Sequence, residues 1–271
     1  MTRDCPAAGY LFSSVRSFFP RQDILTAGLE IYSFLQSKPI SHCLSLVDLD
    51  QLGKKMQNEV HRKNIISLLA PDEKKFFSTF SYPKRQIEWL GGRIAGKFAA
   101  LLLLEEEIST DRFASITIMP REDGSPGLKS VLHSDRLPSV SISHSGRFAA
   151  GMAANNKVCG VDIQKITDKT QKVVTRFAES DEIRLLAETM PDLNKTQHLS
   201  LLWSAKEAIK KALLKDQPVI FQGVLLKDLH FKRFVTLCLQ FPGKAPRLAE
   251  VNAAIIGEYI LAFTVHTNSH A

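Results

Sequence analysis

Cysteine pairs, long apolar runs and aromatic residues are scarce in this sequence. The chain has four cysteines in 271 residues and no C-x-x-C pair, so neither a zinc cage nor a disulfide framework is indicated. Its most apolar stretch, residues 98–104, is far shorter than the roughly 20 residues of a membrane-spanning helix. An aromatic content of 8%, without a zinc knuckle or an aromatic RNA-binding motif, argues against an RNA-binding module. We therefore expect a cytoplasmic protein with reduced thiols.

The chain is basic and otherwise has the composition of a globular protein. It has 35 lysines and arginines against 28 aspartates and glutamates, which gives a formal charge of +7. Such an excess favours an anionic partner: a nucleic acid, an anionic lipid, a phosphorylated small molecule or an acidic protein. Hydrophobic residues make up 44% of the chain and charged residues 23%, as in proteins that bury a core. The length fits one large domain or two small ones.

The periodicity of apolar residues indicates a mixture of strands and helices. Residues 1–40 show only loose periodicity, and we treat them as an N-terminal extension without an assignment. The clearest hairpin joins residues 148–154 to residues 157–163 through an Asn-Asn pair, a dipeptide that tolerates turn conformations. The division suggested by this turn is an N-terminal half, residues 41–155, and a C-terminal half, residues 156–271.

An internal echo predicts that the two halves are similar. The pattern W-x3-R-x3-K that begins at Trp89 is matched by W-x3-E-x3-K from Trp203, an offset of 114. Upstream, the Asp-Glu pair at residues 72–73 is matched by another at residues 181–182, an offset of 109. We interpret the echo as an α+β fold of two halves about a pseudo-twofold axis, each a small sheet packed with helices. A site would then lie at the seam.

The C-terminal half supplies acidic residues that could bind a cation. Glu207 and Lys211 lie one turn apart on the same helical face. Such a pair is usually solvated, but this helix is apolar on another face and therefore packs against a core. Asp162 has apolar neighbours in a predicted strand, so it needs a partner such as a metal or caps the next segment. Gln164 lies on the same strand face and could add a neutral oxygen ligand.

The N-terminal half offers basic and hydroxyl groups. Arg93 and Lys97 share one face of a helix that contains three glycines, so a ligand could approach its backbone closely. Pairs of this kind are otherwise often surface charge. Ser143 and His144 lie where a predicted strand enters a turn, in the sequence S-H-S-G. Because no G-x-S-x-G motif surrounds them, a phosphate-binding turn is a better interpretation than a serine hydrolase.

Four motifs, taken in order, resemble those of one enzyme family. They are GGRIAGK at 91–97, SISHSG at 141–146, GVDIQ at 160–164 and WSAKEAIKK at 203–211. Over roughly residues 42–265, the chain resembles the 4'-phosphopantetheinyl transferases of the surfactin-synthetase-activating type. The resemblance implies transfer of 4'-phosphopantetheine from coenzyme A to a serine of an apo acyl or peptidyl carrier protein, with release of 3',5'-ADP. It also implies a monomeric, pseudo-dimeric enzyme.

The same resemblance implies a role for each motif residue. Asp162 and Glu207, with Gln164, would hold Mg²⁺ against the pyrophosphate of coenzyme A, and Glu207 or a metal-bound water would take the proton of the carrier serine. Lys211 would stabilise charge on the phosphates. The residues expected to bind coenzyme A are Ser143 and His144, at its 3'-phosphate, with Arg93, Lys97 and Lys206. Arg93 and Lys97 would face the nucleotide or support the site, and Lys206 would lie beside the metal ligand Glu207.

Two positions depart from the family's pattern. Gln164 stands where many members have glutamate, which should weaken cation binding. Ser125, in Gly-Ser-Pro, stands where they have lysine, so one nucleotide contact is absent or comes from elsewhere. We expect carrier proteins and coenzyme A as partners, and neither nucleic acid nor a membrane. Two alternatives stay open: a non-catalytic basic nucleic-acid-binding protein, and a degenerate homologue that binds coenzyme A without turnover.

Overall fold

A computed structural model gives the fold of most of the chain. The residues that it describes are 11–12, 14–25, 28–35, 41–132, 137–214, 223–231, 234–241 and 247–267. Their arrangement confirms the prediction of an α+β fold with two sheet-containing halves. Among these residues, every helix is too short or too polar to cross a membrane.

The chain alternates between groups of strands and groups of helices. The strands are β1 (Leu11–Phe12), β2 (Arg21–Leu25), β3 (Leu29–Leu35), β4 (His42–Asp48), β5 (Ile116–Pro120), β6 (Pro126–Ser130), β7 (Ser139–Ser145), β8 (Phe148–Ala154), β9 (Lys157–Lys165), β10 (Leu225–Phe231), β11 (Val235–Phe241), β12 (Arg247–Ile256) and β13 (Tyr259–Thr267). The helices are α1 (Val15–Phe18), α2 (Leu49–Met56), α3 (Glu59–Ser67), α4 (Pro71–Phe77), α5 (Pro83–Leu103), α6 (Thr110–Ala114), α7 (Lys169–Lys172), α8 (Ser180–Thr189) and α9 (Lys195–Leu213), with a 3₁₀ turn at Val174–Arg176.

Two large sheets define the two halves. The first has the order β2-β3-β4-β8-β7, and the second has the order β10-β11-β12-β13-β9, with β1 paired to β12 in parallel. Strands β5 and β6 form a separate hairpin. Part of the segment that the sequence left unassigned therefore belongs to the sheets, since β1, β2 and β3 all precede residue 41. The division at residues 155 and 156 stays a prediction, and there the chain turns from β8 into β9.

Three apolar cores hold the layers together. The central core lies between the two sheets and includes Phe34, Leu46 and Met152 from the first and Val161 and Phe263 from the second. The other two cores lie on the outer faces, one where α5 packs on β4 and β8, and one where α9 packs on β9 and β13. The layer order is therefore helix, sheet, sheet, helix, with one long helix for each half.

Equivalent turns relate the two halves by a pseudo-twofold axis. The turn between β7 and β8 and the turn between β12 and β13 each have a glycine at positive φ, +55° at Gly146 and +57° at Gly257. The carbonyl after each glycine accepts a hydrogen bond from the residue that directly follows β4 or β9, at 2.7 and 2.8 Å. A left-handed conformation at the same place in both turns favours glycine in each.

A buried ion pair recurs in both halves and corrects the offset of the echo. In the first half Lys97 pairs with Glu73, and in the second Lys206 pairs with Glu182. Lys206 lies 109 positions after Lys97, and Glu182 lies 109 positions after Glu73. The offset of 114 inferred for the long helices is therefore wrong. It matched Lys97 with Lys211, whereas the structure makes Lys97 equivalent to Lys206.

Close packing of α9 on β9 requires a glycine at position 160. A Cβ added to Gly160 would collide with the backbone oxygen of Ala208, because the helix lies directly on the strand at this point. The glycine of the G-V-D motif thus fixes the separation between the strand that carries Asp162 and the helix that carries Glu207. Backbone atoms cannot give way as flexible side chains do, so a larger residue would force the two elements apart.

We predict that Gly160→Ala destabilises the protein, because its methyl group would meet the helix backbone. The expected loss in free energy of unfolding is about 1–3 kcal/mol, measured by urea denaturation. Gly53→Ala is the matched control, since no described atom lies within 4 Å of the added Cβ, and alanine in helix α2 should stabilise by about 0.8 kcal/mol. An unchanged free energy of unfolding for Gly160→Ala would contradict the prediction.

Candidate functional site

Serine side chains on one face of β7 join the first half to β9 of the second. The side chains at alternate positions of a strand point to the same face, and the four serines here all bond to β9. Ser141 accepts a hydrogen bond from the Val161 amide at 3.0 Å, and Ser145 accepts one from the Lys165 amide at 3.0 Å. The other two bonds run from Ser139 to the Lys157 carbonyl at 2.5 Å and from Ser143 to Asp162 at 2.8 Å.

The carboxylate of Asp162 lies at this junction with its two oxygens in different surroundings. Oδ1 accepts hydrogen bonds from the Ser143 hydroxyl and from the Lys211 ammonium, both at 2.8 Å. Oδ2 is buried, and none of the described residues bonds to it. The sequence predicted that an acid in this strand needs a partner. Ser143 and Lys211 are partners for one oxygen, and the second oxygen is left for a ligand.

Helix α9 brings Glu207 and Lys211 to the same place. Lys211 donates to Asp162 and also to the Val161 carbonyl at 3.0 Å, so the ammonium group is fixed against β9. Burial raises the pKa of Glu207; the charge of Lys211 opposes the rise and that of Asp162 adds to it. The two acids and the lysine thus form one interacting cluster, which the i, i+4 spacing on the helix predicted in part.

A cavity of about 290 Å³ lies beside this cluster. The first half contributes residues 123–126 and residues 140–142 to its walls, and the second half contributes Glu207, Lys210 and Lys211. The cavity therefore lies at the seam, where the sequence analysis placed a site. The hydroxyl of Ser125 is also buried here and has no hydrogen-bond partner in the described part of the chain.

The chemistry of this cluster fits a divalent cation with few protein ligands. Asp162 has a carboxylate oxygen without a hydrogen-bond partner among the described residues, and its charge helps to raise the pKa of Glu207. Carboxylate oxygens suit Mg²⁺, which usually takes one or two of them and keeps several waters. Across the described ranges, no group of three or more His, Cys, Asp or Glu side chains could hold a metal. The Gln164 amide donates to the Lys165 carbonyl at 3.1 Å, and its role as a ligand stays a prediction.

A second cavity of about 430 Å³ holds two of the predicted coenzyme-binding residues, Arg93 and His144. Arg93 stacks on Trp89 at 4.6 Å from its ring centre, and burial lowers the pKa of the guanidinium to about 10. Arg93 Nε and Trp89 Nε1 are buried without a hydrogen-bond partner among the residues described. Burial also lowers the pKa of His144, against the opposing charge of Glu88 4.0 Å away. Both cavities share Ile142.

The structure separates Ser143 from His144. They are adjacent in β7, so their side chains point to opposite faces. The Ser143 hydroxyl donates to Asp162, and the His144 ring lies in the second cavity near Glu88. A shared contact with one phosphate group, which the resemblance implied, would have to reach both faces of the strand.

The assignment of Lys97 and Lys206 to coenzyme binding is corrected by their burial. Lys97 is 0% exposed and donates to the carbonyls of Leu68 and Phe113, each at 2.9 Å, beside its partner Glu73. Lys206 is 1% exposed, and its ammonium group donates to the carbonyl of Phe177 at 2.6 Å and to the carboxylate of Glu182. Burial lowers the pKa of each lysine while the glutamate opposes this. Neither lysine lines the two cavities described above, and each ammonium group is bonded to buried acceptors of the protein, which assigns both lysines to support of the fold.

Sequence reasoning missed the acidic partners of these lysines. Glu73 and Glu182 are buried and accept backbone amides, from Ala70 and Ile118 in the first half and from Glu179 and Leu226 in the second. Each therefore ties the start of a helix to a neighbouring strand. The Asp-Glu pair at residues 72–73, repeated at residues 181–182, was the available signal, but it was used only as evidence of two similar halves.

We predict that Lys206→Met destabilises the protein by about 3–5 kcal/mol, because it leaves the buried carboxylate of Glu182 without its counter-charge. Urea denaturation of the variant measures the effect. Lys63→Met is the control, since its ion pair with Glu59 is exposed and should change stability by less than about 1 kcal/mol. Equal effects in the two variants would show that the buried pair is not needed for stability.

Comparison with known proteins finds a family model that matches the C-terminal half and two proteins that are similar to part of the chain. Residues 158–264 match the family model of the 4'-phosphopantetheinyl transferase superfamily. The chain is 34% identical over 107 residues to a holo-[acyl-carrier-protein] synthase of Geobacillus sp. (strain WCH70), which covers 39% of this chain and 87% of that relative. A solved structure of a holo-(acyl-carrier-protein) synthase from Bacillus anthracis in complex with CoA (3',5'-ADP) is similar with a TM-score of 0.37 and 22% identity, covering 42% of this chain and 94% of that chain. Asp162, Glu207 and Lys211 all lie in the matched segment.

Proposed function

The chain belongs to the 4'-phosphopantetheinyl transferase superfamily, and we propose that it uses Mg²⁺ to transfer 4'-phosphopantetheine from coenzyme A to a serine of an apo carrier protein. The observation that supports the site is the cluster of Asp162, Glu207 and Lys211 beside the seam cavity. The similar protein from Geobacillus is a holo-[acyl-carrier-protein] synthase, which favours an acyl carrier protein as the acceptor.

The charges at the seam suit the reacting groups. In the reaction the serine oxygen forms a bond to the phosphorus that carries pantetheine, and the bond from that phosphorus to 3',5'-ADP breaks. Lys210 and Lys211 line the cavity, and they would face the negative charge of the pyrophosphate. Mg²⁺, held by Asp162 and Glu207, would supply further positive charge on the phosphate oxygens.

Glu207 would receive the proton of the carrier serine. Its carboxylate lines the cavity, and a Mg²⁺ ion bound beside it would favour its ionised form, which is the form that accepts a proton. Lys211, which is paired with Asp162, would stabilise the negative charge that develops on the departing phosphate.

The second cavity would bind the nucleotide part of coenzyme A. Arg93 provides a cation with a free Nε donor, as far as the described residues show, and a planar ring can stack beside Trp89. His144 lines this second cavity and not the cavity beside Glu207, so its ring would bind a phosphate of the nucleotide by donating a hydrogen bond and would not act as the base. Ile142, shared by both cavities, would lie between nucleotide and reacting phosphorus.

The carrier protein would dock with the help of charge. The chain carries a formal charge of +7, and the carrier proteins that are substrates of this family are commonly acidic. Long-range attraction would therefore speed the encounter of enzyme and carrier. We also propose that the enzyme acts as a monomer in the cytoplasm and belongs to the surfactin-synthetase-activating subtype.

We predict that an apo acyl carrier protein gains the mass of phosphopantetheine when it is incubated with this protein, coenzyme A and Mg²⁺, as measured by intact-mass spectrometry. Asp162→Asn and Glu207→Gln should each lower the rate by about 100-fold or more, because they remove charge without changing shape. Urea denaturation of both variants checks that each is still folded under the conditions of the assay. A fully active Glu207→Gln would refute the assigned role.

The same assay separates the alternatives. Coenzyme A binding without modification of acyl or peptidyl carriers would favour a degenerate homologue. Gln164, in place of the family's usual glutamate, is the reason for considering this alternative. Absence of coenzyme A binding together with binding to nucleic acid would favour the basic binding module instead.

We predict that Gln164→Glu lowers the Mg²⁺ concentration needed for half-maximal rate, because it adds a charged oxygen near Asp162. Steady-state rates over a Mg²⁺ series measure this change. Gln171→Glu is the control, since Gln171 is exposed and bonds to Asp168 and Thr196 away from the site. An unchanged Mg²⁺ dependence in Gln164→Glu would place residue 164 outside the metal's ligands.

A further inference from the structure

The four serines of β7 contact β9 in two different ways. Ser141 and Ser145 accept hydrogen bonds from backbone amides of β9, so they support the junction between the halves. Ser143 donates to a carboxylate, that of Asp162. A hydroxyl that donates to a carboxylate helps to fix the position of the charged group. A hydroxyl that accepts from a backbone amide has no such effect on a charge.

The two donors to Asp162 differ in how firmly they are held. Ser143 is 8% exposed and lies on a strand in the interior of the seam. Lys211 has a long side chain, lines the cavity and shares its ammonium group between Asp162 and the Val161 carbonyl. When an anionic substrate enters the cavity, the lysine is free to turn toward it, whereas the serine keeps its bond to the acid.

We propose that Ser143 is a positioning residue, which fixes the Asp162 carboxylate so that Oδ2 is presented to a divalent cation. The proposal rests on the proposed function for the presence of that cation. Ser143 uses its hydrogen to hold Oδ1, while Oδ2 has no bond from any residue the structure describes. The hydroxyl thereby acts through Asp162, in place of the contact with the 3'-phosphate that the resemblance implied.

The orientation of a ligating carboxylate determines how well it binds. An acid held by a fixed donor at one oxygen offers the other oxygen in one direction, and loss of such outer hydrogen bonds costs about 10- to 100-fold in metal affinity or activity. In Ser143→Ala the carboxylate would keep Lys211 as its donor but could rotate about its Cβ–Cγ bond. Ser143→Thr would keep the hydroxyl and should therefore bind the cation nearly as well as the parent.

Mn²⁺ is the probe that tests the proposal. Its binding is measured by electron paramagnetic resonance of the free ion, on the full chain alone and with saturating coenzyme A. Ser143→Ala should weaken binding by about tenfold, and Ser143→Thr should restore it to within about threefold of the parent. Ser145→Ala is the matched control, because it removes a hydroxyl from the same strand face that bonds only to backbone, and should leave Mn²⁺ binding unchanged.

Kinetic constants distinguish positioning from phosphate contact. In Ser143→Ala the concentration of Mg²⁺ for half-maximal rate should rise by about tenfold, while the KM for coenzyme A stays within about twofold. A raised KM for coenzyme A with unchanged Mn²⁺ affinity would overturn the proposal and restore the phosphate contact. Unchanged Mn²⁺ affinity, or a parent protein that does not bind Mn²⁺, would also overturn it.

The outcome is separable from that of the proposed function. If the parent modifies no carrier but binds Mn²⁺ in a manner that depends on Ser143, then the transfer activity fails and the positioning role stands. Urea denaturation of each variant shows whether it is folded. Ser143→Ala and Ser145→Ala each remove one hydrogen bond between β7 and β9, so a weaker junction alone would lower Mn²⁺ binding in both variants.

Discussion

The close contact of α9 with β9 is the constraint on which the candidate site depends. A glycine at position 160 lets the helix lie directly on the strand, and this separation brings Lys211 within hydrogen-bond distance of Asp162. Strand β7 of the other half then completes the site through Ser143. The cluster is consequently shared by both halves, although its charged residues come from the second.

The two halves have the same architecture but different chemistry. In the first half, Ser45 of β4 pairs with Gly151, the fifth residue after the turn glycine. In the second half, Asp162 of β9 has the equivalent position, because it pairs with Ala262, the fifth residue after the other turn glycine. At the offset of 109, the equivalent of Glu207 is Phe98, which is 0% exposed. Buried serine and phenylalanine stabilise packing but cannot hold a cation. The first half has therefore kept the fold of the repeat and provides walls for the site of the second.

Sequence patterns predicted part of the site, because some geometry is local. The spacing of Glu207 and Lys211 places them on one face of a helix whatever surrounds it, and the apolar neighbours of Asp162 signal burial. The patterns failed for Lys97 and Lys206, whose charge suggested contact with a ligand. Burial of a lysine depends on a counter-charge far along the chain, and here each glutamate lies 24 residues before its lysine. Helical spacing carries no information about such a partner.

The sequence by itself determined the fold class, the repeat of the two halves, and the acids and bases that the seam could contain. These follow from composition, periodicity and motif order, which are properties of neighbouring residues. Only the tertiary structure decided that Ser143 faces Asp162 while His144 faces the second cavity, and that one oxygen of Asp162 is hydrogen-bonded while the other is buried with no partner among the described residues. The physical reason is that hydrogen bonds across the seam depend on the register of β7 against β9, which joins residues about 20 positions apart.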